Sequence, residues 1–255
     1  MVPLYKKLFF PFIKYLGRKK IERNFIKDPI ILGGCGRSGT TLLLSILDAH
    51  PDIYSLKKEN GAFLIWNDKD TEPRPVRIDR LHRSILFKDI PSEADRYCLK
   101  NPGNVRHFGK ILKYYDNQIK LIHIVRDARD VLTSVHPKDF GKYWVPIKRW
   151  INDVKAGLKY EDHPRVFTIK YENLINNYED RIQKLLGFLK EPFTEEMYNW
   201  SEHTELIESK AWQDRVQKLH ADSIRRWKQS KYEKRVKKIM SNPKVTELLE
   251  YLDYI

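Results

Sequence analysis

Gly34-Cys35-Gly36-Arg37-Ser38-Gly39-Thr40-Thr41 joins a short apolar run to a helical pattern. Its glycines let a backbone wrap around an anion without Cβ clashes. N–H groups freed at a helix start point toward negative charge, and the helix dipole assists them. Ser38, Thr40 and Thr41 add hydroxyl donors, and Arg37 adds a fixed cation. A second cluster is Val125-Arg126-Asp127-Ala128-Arg129-Asp130, ending on Ser134. An arginine at a strand end and a hydroxyl on the following helix can converge on one phosphate. Asp127 is placed to cap that helix, with Asp130 three residues on in capping-box style.

The loop nearly matches the nucleoside triphosphatase pattern G-x-x-x-x-G-K-[ST], but Thr40 stands where the phosphate-gripping lysine belongs. The apolar strand Ile119–Val125 leads into Arg126 and not into a magnesium-holding aspartate. The site therefore reads as one that holds a phosphate-like anion with cations, without a metal. Two other readings stay open at this level: a P-loop nucleotide kinase and a non-catalytic basic nucleic-acid-binding module.

Certain elements must position these residues. Residues 29–32 suit a buried parallel strand, and residues 41–49 a helix stopped by His50-Pro51. Further strands are predicted over 97–100, 119–125 and 165–170. Helices are predicted over 128–135 and 178–189, and a mostly helical, basic stretch over 223–251. Strands alternating with helices predict an α/β fold: a P-loop-type three-layer domain with a central parallel sheet flanked by helices. Residues 57–95 read as a charged, irregular excursion over the site. Residues 1–28 read as a basic, aromatic arm whose helix Pro11 interrupts, and residues 29–255 as one domain.

The chain has 255 residues, with 41% hydrophobic and 12% aromatic residues, enough for a sizeable core. Its net charge of +14 favours anionic partners without choosing among them. No zinc pattern, helix-turn-helix or aromatic RNA-binding signature accompanies that charge, which argues against nucleic acid. Two cysteines are too few for a disulfide framework, so a reducing, cytoplasmic location is expected. No apolar run approaches the ~20 residues of a membrane span. Residues 1–27 alternate aromatic and basic residues, which allows a peripheral membrane contact.

The run Gly33–Ile53, GGCGRSGTTLLLSILDAHPDI, resembles the 5′-phosphosulfate loop and helix of sulfotransferases that use PAPS (3′-phosphoadenosine 5′-phosphosulfate). It is most similar to the tyrosylprotein and bacterial branch. The resemblance covers residues 29–230. It implies that Gly36, Arg37, Ser38, Gly39, Thr40 and Thr41 hold the 5′-phosphosulfate. Arg126 and Ser134 keep the family's eight-residue spacing for the 3′-phosphate. Tyr171, in the Y-E-x-L match Tyr171–Leu174, and Arg226, in the S-x-x-R-W match Ser223–Trp227, are implied neighbours of the nucleotide. Lys100, in Leu99-Lys100-Asn101-Pro102, resembles the family's catalytic lysine. Glu59 occupies the region of the branch's glutamate base, about one residue late.

These residues imply in-line sulfuryl transfer from PAPS to an acceptor hydroxyl of a sugar, a tyrosine or a lipid-linked glycan. Arg37 and Lys100 would carry the leaving-group charge, and Glu59 would take the hydroxyl proton. The expected acceptor wall is residues 57–95, with Lys57, Lys58, Lys69, Arg74, Arg77, Arg80, Arg83 and Lys88 for anions. Phe63, Trp66 and Phe87 are its candidates for stacking on a sugar.

Overall fold

The computed structural model describes residues 4–68, 72–136, 139–206, 219 and 221–255. Lys69 lies outside the described residues. The strands are β1 (Ile30–Gly34), β2 (Ile53–Ser55), β3 (Trp66–Asn67), β4 (Arg74–Pro75), β5 (Arg96–Lys100), β6 (Lys120–Val125), β7 (Val135–His136), β8 (Asp139–Tyr143) and β9 (Val166–Lys170). The helices are α1 (Leu4–Asn24), α2 (Thr40–Asp48), α3 (Asp79–Leu86), α4 (Phe108–Tyr114), α5 (Ala128–Leu132), α6 (Ile147–Leu158), α7 (Tyr171–Asn176), α8 (Tyr178–Leu189), α9 (Trp200–His203), α10 (Glu233–Met240) and α11 (Pro243–Tyr251).

A five-stranded parallel sheet runs in the order β2-β5-β1-β6-β9. β1 is central, which explains its unbroken apolar run: both faces are covered. Side chains alternate between those faces. Ile30 and Leu32 pack under α2 and α8 with Leu43, Ile46 and Leu185. Ile31 turns to the opposite layer with Leu99, Leu121, Phe108 and Ile111. A third cluster, with Val125, Val131, Trp150 and Leu249, closes the β6 end. This is the α/β three-layer arrangement expected from the sequence.

The strand order puts the chemistry in a row. β5 ends on Lys100, β1 runs into the glycine loop, β6 runs into Arg126 and β9 into Tyr171. All four lie at carboxyl ends of parallel strands, where open α/β sheets bind ligands.

The arm differs from expectation. α1 continues through Pro11, which sits on its exposed side, and packs along α3. Gly17 permits this contact, since a Cβ there would lie 2.6 Å from His82 Cβ. Phe25 then joins the core against Tyr54 and Tyr97. α5 stops at Leu132, earlier than expected, and the 223–232 stretch is a series of 3₁₀ turns before α10.

Candidate active site

The loop after β1 is shaped by close approach. Gly39 has φ 96°, the left-handed region, and a Cβ on it would lie 2.4 Å from the Tyr171 ring. Arg37 is also left-handed, at φ 71°, an uncommon backbone state for a residue with a side chain and one that concentrates at functional sites. α2 begins at Thr40, so its first N–H groups open toward the loop. Ser38 Oγ is fully buried and has no hydrogen-bond partner among the described residues. A buried hydroxyl without a partner is costly. An anion oxygen in the loop would satisfy it.

Cations converge beside the loop. The Arg37 guanidinium lies over the Trp144 ring at 5.1 Å. Burial pushes its pKa down, and the charges of Arg126 and Arg226 push the same way. Three cations are gathered beside the loop, with the Asp130 carboxylate 3.8 Å from Arg126 Nη2, and such a cluster favours an anion. Arg126, with an 11% exposed side chain, lies 4.2 Å over Tyr171. It donates from Nη1 to the Arg37 carbonyl at 3.2 Å and from Nη2 to the Ser223 carbonyl. Its Nε is buried without a hydrogen-bond partner among the described residues. The Tyr171 and Ser223 hydroxyls share a 2.6 Å hydrogen bond. Ser134 Oγ donates to the Asp130 carbonyl at 3.0 Å. Asp127 caps α5 by accepting from Arg129 N at 2.8 Å. Asp130 departs from the capping-box reading: its carboxylate accepts from Arg225 N at 2.9 Å and Trp227 N at 3.1 Å. It thereby holds the turn that carries Arg226 beside the site.

Lys100, nearly buried at 5% exposure, completes the other end. Its Nζ donates to Thr41 Oγ1 at 2.9 Å and to Glu59 Oε1 at 3.0 Å. Glu59 is half-exposed and lines a cavity of ≈ 1040 Å³ with Tyr54, Lys58, Arg80, Arg83 and Phe87. Two histidines, His50 and His203, line the same cavity as Glu59, while His107 lies outside its lining. His50 contacts the Pro192 carbonyl at 2.9 Å and accepts from Asp52 N. His107 packs beside Trp66.

The expected acceptor wall is therefore partly corrected. Arg80, Arg83, Lys88 and Phe87 line the cavity, with Lys57 and Lys58. Arg77 instead pairs with Asp79, Phe63 is core, and Trp66 packs on Tyr114 and bonds the Phe63 carbonyl. Arg74 lies on β4, outside the cavity lining.

Several site residues escaped sequence reasoning. Trp144 follows the β7–β8 hairpin, and its N–H bonds the Ser134 carbonyl at 2.9 Å. Ser223 stood in the S-x-x-R-W match, and only the fold shows its hydroxyl on Tyr171. Behind the loop, buried Asp153 takes Arg106 at 2.5 Å and Arg149 at 3.4 Å. Arg149 borders Gly36.

The sulfotransferase domain family matches residues 27–247. A candidate protein-tyrosine sulfotransferase of Caenorhabditis briggsae is 27% identical over 206 residues, covering 70% of this chain and 70% of that one. The protein-tyrosine sulfotransferase of Drosophila melanogaster is 23% identical over 200 residues, covering 68% of this chain and 40% of that one. A mouse sulfotransferase complexed with PAP (adenosine 3′,5′-bisphosphate) shares the fold at TM-score 0.55 and 16% identity, over 94% of this chain and 93% of that one. The chain belongs to the sulfotransferase domain family. It is an enzyme of the sulfuryl-transfer class.

Proposed function

We propose that PAPS lies along the carboxyl ends of β1, β6 and β9, and that its sulfuryl group passes to a hydroxyl held in the Glu59 cavity. The observation that carries this reading is the double hydrogen bond of Lys100. One cation touches both Thr41, at the donor loop, and Glu59, at the acceptor cavity.

The 5′-phosphosulfate fits the loop, with Ser38, Thr40 and Thr41 as donors and Arg37 as cation. The 3′-phosphate fits Arg126 and Ser134, with Arg226 near and Tyr171 beneath. Turning Ser134 Oγ from the Asp130 carbonyl toward a phosphate is a simple rotamer change. In the transfer, the acceptor oxygen forms a bond to sulfur as the bond from sulfur to the bridging oxygen breaks. The acceptor proton goes to Glu59, and PAP leaves with the bridging oxygen. Negative charge grows on that oxygen, where Lys100 and Arg37 are placed to stabilise it.

For the acceptor, a tyrosine, sugar or lipid-linked hydroxyl fits a cavity with Tyr54 and Phe87 beside Lys58, Arg80 and Arg83. The kinase reading has less support, since Thr40 replaces the P-loop lysine. We place the enzyme in the cytoplasm, in keeping with its two free, buried cysteines. Among the described residues no helix is long and apolar enough to cross a membrane. Peripheral contact through α1 is supported by Phe12 and Tyr15, 60% and 59% exposed, near exposed Arg18 and Lys19. Loss of binding to anionic vesicles in a Phe12→Asp, Tyr15→Asp variant tests that part.

The test of the activity is a screen of hydroxyl acceptors with sulfur-labelled PAPS. Label should move to an acceptor without added magnesium, with one PAP released per transfer. Labelled product that requires ATP and magnesium would contradict the proposal.

A further inference from the structure

We propose that Glu172 and Tyr254 are positioning residues for Arg126, and so set the site's preference for a nucleotide bearing a 3′-phosphate. This rests on the PAPS reading of the donor site.

Three donor-site residues each have a chain neighbour facing away from the nucleotide. Arg126 is followed by Asp127, Tyr171 by Glu172 and Arg226 by Trp227. These neighbours meet in one group behind the site, Asp127 and Glu172 by a hydrogen bond and Trp227 by the contact of its ring with Arg129. Glu172 Oε1 accepts from the Asp127 backbone N–H at 3.1 Å, at the peptide that fixes the Arg126 main chain. Glu172 Oε2 accepts from the Tyr254 hydroxyl at 2.6 Å. Arg129 is clamped to both Asp127 oxygens and donates to the Tyr254 carbonyl at 2.9 Å. Its guanidinium lies 4.1 Å over the ring of Trp227, whose backbone N–H is held by Asp130. Lys170 donates to Asp253 at 3.0 Å and lies over the Tyr254 ring, pinning the same segment.

Without Tyr254, a carboxylate largely removed from water would lose its only side-chain donor among the described residues. Burial already pushes Glu172 up from the ordinary carboxylate range, with the Tyr254 and Asp127 bonds opposing that rise. Removing one bond leaves Glu172 free to turn to solvent in the adjoining cavity of ≈ 470 Å³. The Asp127 N–H is then released, and the guanidinium loses its fixed origin. Arg126 is oriented at its main chain by this backbone bond and at its guanidinium by the Tyr171 ring and the Arg37 and Ser223 carbonyls. Since Tyr171 and Glu172 are adjacent, the same segment supplies both constraints.

The test is calorimetric titration of PAP and of 5′-AMP, which lacks the 3′-phosphate, into wild type, Tyr254→Phe, Glu172→Ala and Glu172→Gln. Loss of an oriented, charge-assisted bond predicts roughly tenfold weaker PAP binding in Tyr254→Phe and Glu172→Ala. 5′-AMP affinity should stay within about twofold, a difference near the ~0.5 kcal/mol expected of remote changes. Glu172→Gln keeps a carbonyl oxygen for Asp127 N and should recover most of the preference. Melting temperatures of all variants, measured without nucleotide, separate a local effect from unfolding. Unchanged PAP affinity in Tyr254→Phe and Glu172→Ala overturns the proposal, as does an equal loss for PAP and 5′-AMP. If wild type itself does not distinguish PAP from 5′-AMP, the donor reading fails first.

Discussion

Lys100 Nζ lies 3.0 Å from Glu59 Oε1, so the cation on β5 and the carboxylate after β2 form one unit. Lys100 is nearly buried while Glu59 is half-exposed toward the cavity. The pair therefore faces both ways, one member toward the glycine loop and the other toward the cavity.

Glu59→Gln keeps the shape and removes the basic oxygen. Turnover should fall at least about a hundredfold, the low end for a positioned general base. The PAP dissociation constant should stay close to wild type, measured by calorimetry. Near-normal kcat would remove Glu59 from the chemistry.

Arg126→Ala should weaken PAP binding about ten- to a hundredfold, the range of a charge-assisted bond to phosphate. The fold should persist, because neighbouring Val125 and Ala128 carry the packing. Equal affinity in variant and wild type would place the 3′-phosphate elsewhere.

Much of this was legible from the chain. β1, β6 and the loop are consecutive residues with strong local patterns, and their placement needed only the rule that ligands sit at carboxyl strand ends. Glu59, expected about one residue late by resemblance, lies within hydrogen-bond reach of Lys100. Long-range partnerships were not legible. Asp130 looked like a cap within α5, yet it binds amides nearly a hundred residues away. Arg77 and Arg80 look alike in sequence, but Asp79 takes the first and the cavity has the second. α6 was missed although Trp150, Ile151 and Val154 carry helical spacing, because charged residues dilute the stripe.

Neutralising Arg80, Arg83 and Lys88 together should raise KM for an anionic acceptor roughly tenfold, at ~0.2–1 kcal/mol for each exposed charge. The effect should shrink at high salt, where exposed charges are screened. PAP affinity should not follow. A loss confined to PAP would assign these cations to the donor.

His123, central in β6, is fully buried, with both ring nitrogens lacking hydrogen-bond partners among the described residues. Burial lowers its pKa from 6.5 to about 4. The folded state thus resists the proton that the unfolded chain accepts, and stability is lost as pH falls from 6.5 toward 4. Asp48 acts oppositely, since burial raises it from 3.8 to about 6 and its folded form takes up a proton in that window. Comparing wild type with His123→Leu isolates the histidine. The stability difference, from urea unfolding, should shift in favour of the variant by on the order of 3 kcal/mol between pH 7 and pH 4. A difference that does not vary with pH would contradict the assignment.

The central claim is a donor site built for two separated phosphate groups. The most direct measurement is the melting temperature with PAP, set against ATP with magnesium at the same concentration. A ligand at a hundred times its dissociation constant adds about 2.7 kcal/mol to stability. For a chain of this size that corresponds to a rise of roughly 5–10 °C. A site with two separated anion positions should give such a rise with PAP and a much smaller one with ATP and magnesium. Equal shifts from the two nucleotides, or a shift with ATP alone, would contradict it.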